Sequence, residues 1–147
     1  MKFKYNQEEN TEQFEDTGLD ENTQYLMDLN ELLKETDPLN APPVSLLESW
    51  QNKFKNIYVS KVVDPNTYYV WRVLRRGEFK KLNTTGSFND PMSANEILVE
   101  TCLLYPTPST EWRIIQPAGV IETLGKQISY QSGFIPDNEA LSLIKVL

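Results

Sequence analysis

Nine prolines limit what this chain can build, at positions 38, 42, 43, 65, 91, 106, 108, 117 and 136. The residue before a proline resists the helical region, and a proline inside an element removes a backbone donor. The longest uninterrupted apolar runs, such as Leu103–Tyr105, span only a few residues. That is far short of the roughly 20 needed to cross a bilayer as a helix. The opening MKFK is not followed by an apolar segment, so no secretory signal is expected. The reading is a soluble protein made and used in a cytoplasm.

With 147 residues, the chain has room for one real core and little more. Only 39% of residues are hydrophobic, which suggests that part of the chain contributes nothing to that core. Residues 5–24, YNQEENTEQFEDTGLDENTQ, fit that role and are expected to be disordered or loosely docked. From Tyr25 the pattern changes. Tyr25, Leu26, Leu29, Leu32 and Leu33 recur at spacings of three and four, which predicts an amphipathic helix ending before Pro38. It packs on its own domain or docks on a partner. Asn40-Ala41-Pro42-Pro43 reads as a stiff spacer, giving an arm over 1–43 and a domain over 44–147.

Within that domain, Ser45 and Glu48 have the spacing of a capping box, followed by Leu46, Leu47, Trp50 and Phe54 at helical intervals. Two β-rich runs, 57–63 and 68–74, flank Asp64-Pro65-Asn66-Thr67 and predict a hairpin. Alternation sends Tyr69, Trp71 and Val73 one way, and Tyr68, Val70, Arg72 and Leu74 the other. A short helix is expected over 77–82. Another is capped by Ser93 and Glu96 and runs to Tyr105, before an irregular connection over 106–118. Helices over 118–132 and from Pro136 onward complete an α+β, mainly α fold. It is a small helical domain with one hairpin, preceded by an acidic extended arm with an amphipathic helix.

Charge is unevenly distributed. The net is −7, yet residues 1–39 hold eleven acids against three bases, while residues 53–81 hold eight bases against two acids. The basic part includes YYVWRVLRRGEFKKL over 68–82, where aromatics interleave with Arg72, Arg75 and Arg76. Such a run can stack bases and neutralise phosphates, so a nucleic-acid-binding module using 68–81 is one reading. No helix-turn-helix, zinc-finger or RRM signature accompanies it, and the net charge opposes a polyanion. A core of aromatics with cations along a solvated edge explains more of the residues.

Catalytic chemistry has little to draw on. The chain has no histidine, which removes the usual general base and the commonest metal ligand. There is one cysteine, so no intrachain disulfide can form, and Cys102 reads as a buried structural thiol. Glu96 and Glu100 read as surface glutamates on a helix. No cofactor, metal or enzymatic activity is expected.

Three blocks carry a family resemblance. The first is Tyr69, Trp71, Arg72, Leu74, Arg76, Glu78, Phe79 and Lys80. The second, within 99–106, is Cys102, Leu104, Tyr105 and Pro106. The third is Ala118, Gly119, Val120, Leu124, Ile128, Ser132, Gly133 and Phe134. In this order, over about residues 50–134, the chain resembles small tail-morphogenesis proteins of contractile-tailed phages, that is, tail assembly chaperones or baseplate-hub assembly proteins. Gly77 and the placement of Glu100 two residues before Cys102 depart from the pattern. The resemblance implies a non-enzymatic protein that contacts other tail or baseplate proteins, the tape-measure protein among them. It would act in the host cytoplasm or reside in the virion. The residues expected to bind such partners are Tyr25, Leu29, Leu32, Leu33, Trp50, Tyr69, Trp71, Arg72, Arg75 and Arg76. The three arginines would hold an acidic arm, the chain's own or a neighbour's.

Overall fold

A computed structural model describes residues 20–62 and 67–146. The expected disorder before Asp20 and the Asp64-Pro65-Asn66 turn lie outside the described residues. The chain divides into two compact units, Met1–Ser49 and Trp50–Leu147. Among the described residues there are seven helices and a three-stranded antiparallel sheet, so the fold is mainly helical α+β.

In the first unit, α1 spans Glu21–Thr36. The helix begins four residues before Tyr25 because the Asp20 side chain accepts the Thr23 N–H at 2.7 Å, capping the first turn. It stops where Asp37 meets Pro38. Its buried residues are Leu26, Asn30 and Leu33, a stripe at spacings of four and three. Asn30 donates to the Pro42 carbonyl at 2.7 Å, and Ala41 N–H bonds to the Asp37 carbonyl. The proline segment is therefore pinned against α1. The next helix, α2, spans Val44–Phe54 and crosses the division between the units. Pro43 precedes it and its carbonyl accepts from Leu46 and Leu47, so the helix starts before the Ser45–Glu48 box could cap it.

The second unit is built on a sheet of β1 (Tyr58–Lys61), β2 (Tyr68–Trp71) and β3 (Leu103–Tyr105), with β2 in the middle. The β1–β2 pairing sets Tyr58 opposite Trp71 and Ser60 opposite Tyr69. Trp71 stacks on Tyr58 at 4.7 Å, and its indole N–H donates to Ser60 Oγ at 2.8 Å. The third strand replaces the last turn of the helix expected to reach Tyr105. Here α4 spans Pro91–Cys102, and the next three residues pair with β2 across an irregular register at Val70 and Trp71. Tyr69, Val70, Trp71 and Arg72 are all buried, so alternation does not separate an inner face from a solvated one.

The remaining helices are α3 (Arg76–Thr84), α5 (Thr110–Ile115, inside the stretch expected to be irregular), α6 (Val120–Gln131) and α7 (Asp137–Ser142). Pro91 occupies the first helical position of α4, and Asp90 caps it by accepting the Ser93 N–H at 2.8 Å. Glu96 therefore falls too late for the capping box read from sequence. α4 and α6 form the main helix–helix contact. Leu98, Val99 and Cys102 meet Val120, Leu124 and Ile128 there, with Tyr69, Trp71 and Leu103 from the sheet in the same cluster. Burying one such leucine is worth about 1.5–3 kcal/mol. Among the described residues no helix is long and apolar enough to cross a membrane.

Two glycines should respond oppositely to alanine. At Gly125, in α6, an added Cβ would sit 2.8 Å from the Cβ of Asn95 on α4, an atom that cannot swing away. Overpacking costs about 1–3 kcal/mol, against roughly 1 kcal/mol gained in helix propensity. Gly125→Ala should therefore lower the urea midpoint. Gly77 of α3 has open space around it, so Gly77→Ala should raise that midpoint by about 0.5 kcal/mol equivalent. A rise for Gly125→Ala would show that α4 and α6 are not in such close contact.

Candidate interaction surface

Arg72 follows β2 directly and is buried, with 7% of its surface exposed. A buried guanidinium is costly unless its donors are met. Its Nη1 donates to Glu78 Oε1 at 2.6 Å and to the Val73 carbonyl at 3.2 Å, and its Nη2 to the Thr101 carbonyl at 3.0 Å. Its plane lies over the Phe54 ring, 4.6 Å from the centroid. The Nε has no hydrogen-bond partner. This corrects the expectation of cations along a solvated edge, because the first arginine of the run is part of the interior.

Glu78 does two things. The oxygen that pairs with Arg72 also accepts the Arg75 backbone N–H at 2.9 Å, closing the first turn of α3. Partial burial pushes the Glu78 carboxyl up. The Arg72 hydrogen bond, the Arg75 N–H and the two arginine charges outweigh it and leave the carboxyl below its usual 4.5.

Arg75 and Arg76 are exposed. Arg75 Nη2 donates to the Lys53 carbonyl at 2.6 Å, and its guanidinium lies 5.2 Å from the Phe54 centroid. Lys53 Nζ is also 5.2 Å from that ring. Arg76 lies 5.6 Å from the centroid of Phe79, which in turn packs on Phe88 and Phe134. The ends of α2 and α3 thus meet in a cluster of cations around two phenylalanines. Lys55, just after α2, has φ 74°, a left-handed conformation in which the chain leaves the helix.

The other residues expected to touch partners are distributed differently. Tyr25 is 63% exposed, Leu29 and Leu32 are half-buried, and Leu33 is fully buried. Trp50 and Phe54 are half-buried, while Tyr69 and Trp71 belong to the core. Arg72, Arg75 and Arg76 are brought together around Phe54 and Phe79. Lys53 was not singled out, and its helical spacing gave no sign that its carbonyl would meet Arg75.

Apolar surface also lies open outside those positions. Leu141, Leu143, Ile144 and Val146 are each at least 60% exposed, and Ile114 and Ile115 of α5 about three-quarters exposed. Phe79, Phe88, Pro91, Leu98 and Phe134 line a hollow of about 480 Å³. Cys102 is wholly buried, and burial pushes its thiol up to about 12, although the Arg72 charge pulls the other way. It is therefore a core thiol and not a nucleophile at neutral pH. Among the described residues no group of three or more His, Cys, Asp or Glu could hold a metal ion.

Comparison with known protein families, with curated proteins and with solved structures finds no match for the chain.

The Arg72–Glu78 pair sets a pH dependence. Since the folded-state pKa of Glu78 is depressed, its stabilisation is present above the unfolded value near 4.5 and is lost as pH falls through the lower folded value. Glu78→Gln should flatten the acid side of the stability profile. At neutral pH it should cost about 2 kcal/mol, between an exposed pair and a fully buried one, because the Glu78 side chain keeps 33% of its surface exposed. Urea titrations at several pH values would measure both. Parallel acid limbs for the two proteins would remove Glu78 from the acid response.

Proposed function

We propose that this chain is a non-enzymatic assembly protein of a contractile phage tail, working through protein–protein contacts as a baseplate or hub component or as a tail assembly chaperone. The ordered sequence blocks over about residues 50–134 give the setting. The observation that carries the contact reading is the run Leu141, Leu143, Ile144 and Val146, four large aliphatics held in water within six residues. Large aliphatics exposed so close together in the chain favour an interaction site, since leaving apolar surface wet is unfavourable by about 25 cal/mol per Å². Exposed Ile114 and Ile115 add a second apolar strip. A tape-measure protein with long apolar stretches, or a neighbouring baseplate protein, supplies the complementary surface. The chain meets it in the host cytoplasm during assembly.

Mass spectrometry of purified virions and of infected-cell lysate tests this. Stoichiometric presence in virions makes the chain a baseplate component, and presence only in lysate complexes makes it a chaperone. Absence from virions together with free, uncomplexed protein in the lysate overturns the proposal. Ile144→Glu with Val146→Glu should abolish co-purification with the partner while leaving the thermal midpoint nearly unchanged, because both side chains already face solvent.

A further inference from the structure

We propose that the cation cluster at the meeting of α2 and α3 takes an acidic segment of a partner protein, whose carboxylates bind Arg75, Arg76 and Lys53. This rests on the reading that the chain works by protein contact. Three observations support it.

The first is charge left over. Glu78 spends its charge on Arg72, and among the described residues no other ion pair involves this cluster. Lys53, Arg75 and Arg76 are all exposed. Arg76 and Lys80 stand four apart on α3, so two like charges occupy one helix face a turn apart, an arrangement that an incoming anion relieves. The amino end of α3 adds positive potential to the same place.

The second is preorganisation. The Arg75 guanidinium is already held by the Lys53 carbonyl and the Phe54 ring, and that of Arg76 by Phe79. Part of the side-chain entropy lost on binding has been given up in advance. Planar guanidinium groups fixed in this way suit the two-oxygen geometry of carboxylates.

The third separates an acidic protein segment from a polynucleotide. Binding of single strands relies on open aromatic faces on which bases stack. Here arginines lie over the rings of Phe54 and Phe79, so those rings serve the cations instead. Lys53, Arg75, Arg76, Lys80 and Lys81 contribute +5 to a net of −7, so the rest of the chain sums to −12. A long polyanion leaving the cluster meets repulsion. A short acidic segment ends where the cluster ends.

The test uses the full chain and two charge variants. The probe is a fluorescent oligoglutamate peptide, a sequence that does not occur in this chain and stands for an acidic segment of a partner. Anisotropy at low salt should show saturable binding that weakens as salt rises. Arg76→Glu with Lys80→Glu should weaken it at least about tenfold, with unchanged circular dichroism, since both side chains are exposed. Arg75→Gln, which removes one charge and leaves Arg76 and Lys80 in place, should weaken it less. Absence of binding to the peptide overturns the proposal, as does binding that both variants leave intact. Tighter, charge-variant-sensitive binding of an oligothymidylate also overturns it, in favour of nucleic acid. Virion composition does not enter these measurements, so failure here and failure of the tail-assembly reading are separately visible.

Discussion

The second unit depends on how one buried guanidinium is satisfied. Arg72 comes directly after the central strand with its side chain buried, and no single element supplies all of its acceptors. Those it finds come from the last turn of α4, from Val73 and from the first turn of α3. Its own backbone N–H donates to the Cys102 carbonyl, where α4 turns into β3. Removing Glu78 would strand a charge in a low-dielectric site, which explains why the same carboxylate also starts α3. Strand, helix end and helix start are fixed together.

Much of the architecture was legible because it was written in local chemistry. Leucine spacing gave α1, the proline stop gave its end near Pro38, and the two β-rich runs gave β1 and β2. What was missed was non-local. Leu103–Tyr105 continues the apolar run of α4, and only its pairing with β2, about 35 residues earlier, makes it a strand. Ser93 and Glu96 satisfy the capping-box spacing, yet Asp90 and Pro91 satisfy a stronger start one turn earlier. Asn30 breaks the apolar pattern of α1 but is buried, because the proline segment returns to accept its hydrogen bond.

The interaction surface was less legible, and for a different reason. Leu33, Tyr69 and Trp71 have the composition of interface anchors, but the same residue types fill cores, and these are buried. Sequence grouped three arginines that the fold keeps together but buries unequally. Arg72 is structural, while Arg75 and Arg76 face solvent. Nothing local distinguishes them, because the difference lies in which one follows the central strand. The final helix expected from Pro136 onward would have carried the aliphatics over 141–146. In the fold α7 ends at Ser142 and leaves most of them open.

Arg75 has a mechanical consequence. The carbonyl of Lys53 belongs to the last turn of α2, where no intrahelical donor remains, and the left-handed Lys55 turns the chain away from it. The Arg75 guanidinium supplies that donor while its backbone N–H begins α3. One residue thus latches the end of one helix to the start of the next. Losing that side chain would therefore leave the last turn of α2 without its donor as well as removing a surface charge.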